Sequence, residues 1–172
     1  MIWILAGLVA IGSGSAGDKK KPEEISVKRS PSSLWQVIDV LARQTPFTKD
    51  KVESALPLAF TVAVDDSNDA FQFWEGGRVQ LGDGSSITKV DLRVKRAGGH
   101  PGFLGLDIGG TCVTLDQVRE HFDKLEITAV PRGRSPDEQT YYTSSREWGN
   151  LSFGFAESNS NCLAKVIFDP KK

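Results

Sequence analysis

Cysteine and histidine are scarce in this chain of 172 residues: two of each. No HExxH, CxxC, GxSxG or phosphate-loop pattern is present, so the common signatures of metalloproteases, dithiol redox enzymes, serine hydrolases and nucleotide hydrolases are missing. Neither His100 nor His121 has a nucleophile near it in sequence. His121 falls among Glu120 and Asp123 on an expected helix and reads as a solvated surface group; His100 belongs to a Gly-Gly-His-Pro-Gly turn. A hydrolase would have to assemble its site from residues distant in sequence, and an activity lost on replacing His100 or His121 would reveal it. The expectation is that the chain is not an enzyme, with no catalytic residue, cofactor or metal site.

Charge of one sign is also lacking. Twenty-one basic and 22 acidic residues leave a formal charge of −1, and the only notable block is Lys19-Lys20-Lys21. Nucleic-acid binding requires a basic stripe, and none is visible. The acidic segment Asp65-Asp66-Ser67-Asn68-Asp69 lacks the spaced Gly and terminal Glu of a calcium loop and reads as a solvated turn.

Long apolar runs are missing too. Ile2 to Ile11 is apolar but falls short of the roughly 20 residues that span a bilayer. Small residues from Gly12 to Gly17 follow it, and the spacing predicts a secretory signal over residues 1–16, cut near Ala16. No basic residue precedes the run and three Lys follow it, which departs from the usual signal pattern. No cysteine lies near the cut, so lipoprotein acylation is not expected. Residues 17–33, rich in Lys, Glu, Pro and Ser, suit a flexible leader. The expected location is the periplasm, with any membrane association limited to an uncleaved N-terminal segment.

What is present is a repeat. Phe47-Thr48-Lys49-Asp50-Lys51-Val52-Glu53 is echoed by Val113-Thr114-Leu115-Asp116-Gln117-Val118-Arg119. Three further echoes follow in the same order. Thr61–Val64 answers to Ile127–Val130, Glu75–Gly82 to Glu147–Gly154, and Lys89–Leu92 to Lys165–Phe168. The expected fold is α+β, with two tandem modules over residues 34–98 and 99–172. Each module packs a helix or helix pair on an antiparallel meander of three to four strands.

Thr48 and Thr114 sit where an N-cap hydroxyl is needed, and Gln117 completes a capping box with Thr114. Leu115, Val118 and Phe122 share one helical face. An additional helix over Leu34 to Arg43 places Leu34, Val37, Ile38 and Leu41 together, and Pro46 stops it. Phe71 and Phe73, Val79 and Leu81, Val90, Leu92 and Val94, and Leu151, Phe153 and Phe155 alternate with other residues as half-buried strands do. Gly76-Gly77 and Asp83-Gly84 fit hairpin turns.

Cys112 and Cys162 allow one intramolecular pairing. An oxidising compartment would join them; a cytosolic chain would keep two buried thiols. Counted at period two from Val166 and Phe168, Cys162 lies on the core face, and a bridge to Cys112 would tie the helix entrance to the last strand of its module.

The same counting predicts exposed anchors. With Phe73 on the core, Trp74 points outward, and Leu163 and Ile167 fall out of phase with the core of the last strand. Tyr141, Tyr142, Arg146 and Trp148 extend this patch, and Trp, Tyr and Arg dominate protein-binding hot spots. The competing expectation for each is a place in the core or in a seam between modules.

Leu106-Asp107-Ile108-Gly109-Gly110-Thr111 resembles the first phosphate-binding loop of sugar kinases and actin-like ATPases. That fold needs a far longer chain and further motifs, so Gly109-Gly110 reads as the turn into the second helix. The tandem arrangement, with its repeated Thr-x-Asp-x-Val segment over about residues 34 to 169, resembles the secreted β-lactamase-inhibitor proteins. It also resembles the small lipoprotein of the outer-membrane β-barrel assembly machine, which has a single module. The first resemblance implies a sheet surface that grips an enzyme. In size and export signal the chain is similar to periplasmic immunity proteins. The expected function is an immunity-type inhibitor of a secreted toxin or hydrolase, with a protein partner and no nucleic acid. A structural envelope component assisting outer-membrane or cell-wall assembly is the alternative.

Overall fold

A computed structural model describes residues 33–64 and 67–172 of the chain. The expected signal over 1–16, all of the leader except Ser33, and Asp65 and Asp66 of the acidic segment lie outside the described residues. Among the described residues three α-helices accompany nine strands in one antiparallel sheet. No described helix is long and apolar enough to cross a membrane.

The helices form where local chemistry favours them. Ser33 caps α1 (Leu34–Ala42) by accepting from the Gln36 N–H, and Leu34, Val37, Ile38 and Leu41 are its buried stripe. Thr48 caps α2 (Lys49–Ala55) through the Lys51 N–H. Thr114 and Gln117 make the expected capping box at α3 (Leu115–His121). Val118 and Phe122 of that segment are buried, and Leu115 packs against the core.

The strands are β1 (Phe60–Val62), β2 (Phe71–Gly76), β3 (Val79–Gln80), β4 (Ser85–Lys95), β5 (Phe103–Gly110), β6 (Glu126–Ala129), β7 (Gln139–Arg146), β8 (Gly149–Ala156) and β9 (Leu163–Pro170). They run β1-β2-β4-β5-β9-β8-β7-β6 across the sheet, and the short β3 pairs with the start of β4. The sheet is continuous across residues 98 and 99, which lie in the hairpin between β4 and β5.

Register fixes the faces, because partners across a pair point the same way. One row runs Trp74, Leu92, Leu104, Phe168, Leu151, Ser144. The next row of the same face runs Gly76, Val90, Leu106, Val166, Phe153, Tyr142. These rows and the helical stripes form a single hydrophobic cluster. The intervening rows make the opposite, open face.

Cys112 and Cys162 form a disulfide. Its setting differs from the simple period-two count. A bulge at Ala164 shifts register, so that Gly154 pairs with Lys165 but Phe155 pairs with Leu163. What brings the cysteines together is the neighbouring backbone, where the Leu163 N–H donates to the Val113 carbonyl at 2.8 Å.

Gly109 and Gly110 end β5 and lead toward α3. Gly110 has φ +77°, and a Cβ there would lie 2.5 Å from the Gly84 carbonyl oxygen. The close approach of the Asp83-Gly84 turn excludes any side chain at this position. These glycines therefore serve packing between strands.

Candidate functional site

The open face is built by the alternate residues of β1, β2, β4, β5, β9, β8, β7 and β6. Its central row runs Thr61, Glu75, Asp91, Gly105, Ile167, Ser152, Thr143, Glu126. A second row runs Lys89, Asp107, Lys165, Gly154, Tyr141. On the other side of the central row Phe73, Arg93 and Phe103 are partners.

Three ion pairs lie on this face. Lys89 bridges Glu75. Arg93 bridges Asp91 at 2.7 Å, and Lys165 bridges Asp107 at 2.9 Å. Lys89 titrates above its ordinary range because Glu75 accepts a hydrogen bond from it, against a smaller opposing effect of burial. In these three pairs each cation faces an anion, and Glu126 at the end of the central row adds one further carboxylate.

Aromatic and hydroxyl groups flank the charges. Phe71, Phe103 and His100 cluster, with the His100 and Phe103 rings 4.2 Å apart and Phe71 6.0 Å from each. The Arg93 guanidinium lies 4.8 Å from the Phe73 ring centre. Toward the other edge the Thr128, Thr143 and Ser152 hydroxyls form a hydrogen-bonded ladder, each step 2.8 Å. Burial raises the Tyr141 phenol above its usual range; Lys165 opposes that and Asp107 reinforces it.

Tyr141 and Ile167 are the predicted anchors that reach this face. The other five lie elsewhere. Trp74 is the partner of Leu92 and packs against the core, so the expected orientation of β2 is reversed: Phe73 is the outward residue. The run Phe71-Gln72-Phe73-Trp74 places aromatics on both parities, and alternation alone does not decide between them.

Leu163 is corrected from an exposed anchor to a core residue, 4% exposed, because the bulge at Ala164 turns it inward. Tyr142 packs against the core and makes an edge contact with Phe155. Trp148 stacks on Phe168 in the covered layer. Arg146 is exposed but lies over the Phe122 ring, on the helix side.

Sequence reasoning passed over Arg93 and Phe103 and placed Phe73 on the core. The signal was available for Arg93, since Val90 and Leu92 on the core put Asp91 and Arg93 outside. Phe103 required knowing that β5 is a strand between β4 and β9.

Among the described residues both histidines contact aromatic rings and backbone groups. The His121 ring stacks on Trp35 at 4.0 Å, and its Nδ1 is 2.9 Å from the Gln117 carbonyl. His100 Nδ1 accepts from the Gly102 N–H. Asn68 Oδ1 accepts from the Ala70 and Phe71 N–H groups, which makes the described part of the acidic segment a turn. No protein-family model matches the chain, and neither a curated protein nor a solved structure matches it.

Proposed function

We propose that this chain is an exported, periplasmic binding protein of the immunity type, which neutralises a secreted toxin or hydrolase by laying its open sheet face over the partner's active site. The observation that carries this reading is the asymmetry of the sheet. The helices pack on one face, while the other presents half-buried aromatics, Ile167 and three ion pairs beside a hydroxyl ladder whose middle member, Thr143, is buried. Such a mixture is typical of surfaces that bind proteins: apolar anchors supply the energy, and polar groups around them set orientation. The disulfide agrees with an oxidising compartment.

The tandem reading belongs to the same proposal. Helix α2 followed by β1, β2, β4 and β5, and helix α3 followed by β6, β7, β8 and β9, are the same succession of elements apart from the short β3 in the first and a 3-10 turn, Glu157–Asn159, between β8 and β9 in the second. The two successions meet at the β5–β9 pair, which makes one broad face from two units.

A structural envelope role is the second reading, and one observation favours it. The exposed large hydrophobics Val62, Val64, Ile127 and Val130 all lie on or beside β1 and β6, the two edge strands. Edges of this kind accept added strands.

Affinity capture from envelope extracts of the native host separates the two. A single toxin or hydrolase recovered near one-to-one by the tagged protein, and lost with Ile167→Glu, supports the inhibitor. Recovery of assembly or cell-wall components, unaffected by Ile167→Glu, supports the envelope role.

A further inference from the structure

Gly105 stands in the middle of the open face, in the centre of β5, between Asp91 on β4 and Ile167 on β9. Glycine within a strand weakens it and often marks a bulge, a sharp bend or the close approach of a ligand or another backbone; Gly105 sits at no register shift in either of its pairings. A Cβ built at Gly105 would meet nothing nearer than the Cβ and carbonyl oxygen of Asp91, each 3.9 Å away. Neighbouring side chains therefore leave the space above Gly105 open. The result is a pocket of about 210 Å³ lined by Phe103, Gly105, Ile167, Asp91, Arg93 and Lys165.

We infer that this pocket is a socket for one neutral aromatic side chain of the partner, an inference that rests on the open face being the binding surface. Size fits, since an apolar cavity of about 150 Å³ already holds benzene. Chemistry fits as well. Phe103 and Ile167 supply apolar contact, and the Phe103 ring at the wall favours another aromatic ring, edge-on or offset-stacked, over an aliphatic group of equal bulk. Because Arg93 and Lys165 are paired with Asp91 and Asp107, the wall carries no surplus charge that would select an anion.

The test uses ¹⁵N-labelled protein and N-acetyl-phenylalaninamide as probe, with N-acetyl-cyclohexylalaninamide and N-acetyl-glycinamide for comparison. The expected result is a dissociation constant of about 1–10 mM, ordinary for so small a ligand. Shifts should concentrate at the amides of Asp91, Phe103, Gly105 and Ile167. The cyclohexyl probe should bind about threefold more weakly, and the glycine probe should give no shift. Gly105→Ala should weaken the phenyl probe and Gly105→Leu abolish it, with the rest of the amide spectrum of Gly105→Ala retained.

Shifts centred on Tyr141 would overturn the socket and leave the open-face reading standing. A second cleft, lined by Lys49, Trp74 and Val94, lies on the helix side, and shifts confined to it would count against both. Absence of any shift, or unchanged binding by a folded Gly105→Leu protein, would overturn the socket.

Discussion

The Leu34 N–H donates to the Asp83 carboxylate at 2.8 Å, tying the first turn of α1 to the turn between β3 and β4. The other carboxylate oxygen of Asp83 accepts from the Ser85 N–H at 2.9 Å and from the Ser85 hydroxyl. One side chain thus satisfies a helix-end donor that has no intrahelical partner and closes its own turn.

Burial pushes the Asp83 carboxyl up, but the hydrogen bonds from Ser85 and Leu34 outweigh it and hold the group below the ordinary carboxylate range. A depressed folded value means stability that is present above the unfolded value and is lost as pH falls through the folded one. Asp83→Ala should cost about 1 kcal/mol at neutral pH. Its urea midpoint should then fall less steeply than that of the native protein below about pH 4. Parallel slopes in acid would show that Asp83 does not carry this linkage.

Reducing the Cys112–Cys162 bridge releases a loop closed over a sequence separation of 50. The expected loss is about 4 kcal/mol on the chain-entropy account. Denaturation of the double Ser variant should match that of the reduced native protein, because neither retains the cross-link.

The fold was legible where local rules act alone. Caps at Thr48 and Thr114, the stripe of α1 and the buried alternations of β4 and β8 are all visible in short windows of sequence. The faces of β2 and β9 were not. In β2 aromatics occupy both parities, so pairing with β4 decides which side is buried. In β9 a single bulged residue, Ala164, changes the parity of Leu163 but not of Val166 or Phe168. Candidate anchors inferred by counting inherited those errors, whereas Ile167, counted from residues on its own side of the bulge, reached the open face. The central position of β5 depends on long-range pairing with β9, which no local pattern encodes.

Leu163 and Ile167 should therefore behave in opposite ways. Leu163→Ala empties a buried site and should cost about 2–4 kcal/mol. Ile167→Ala removes a half-buried group from the open face and should cost about 1 kcal/mol or less. Urea titrations of the two variants check this, and equal losses would contradict the assigned faces.

Tyr141 offers a titration. Its phenol is pushed up chiefly by burial, with Lys165 opposing and Asp107 adding to the shift. A raised folded value means stability fully present below the unfolded value, near pH 10, and lost as pH rises through the folded one. Ultraviolet titration of phenolate should show a late-ionising tyrosine that disappears in Tyr141→Phe. That variant should also unfold less readily in strong alkali than the native protein, relative to its own stability at pH 7.

The most direct measurement compares the captured partner's affinity for the native protein with its affinity for Ile167→Glu, on the open face, and Trp148→Ala, on the covered side. Calorimetry on variants first shown to be folded should give about a hundredfold weaker binding for Ile167→Glu, from a buried unpaired charge at the interface centre. Trp148→Ala should bind within about threefold of native, because scattered residues outside an interface contribute little. Strong loss with Trp148→Ala and native affinity with Ile167→Glu would place the partner on the helix side and contradict the open-face account.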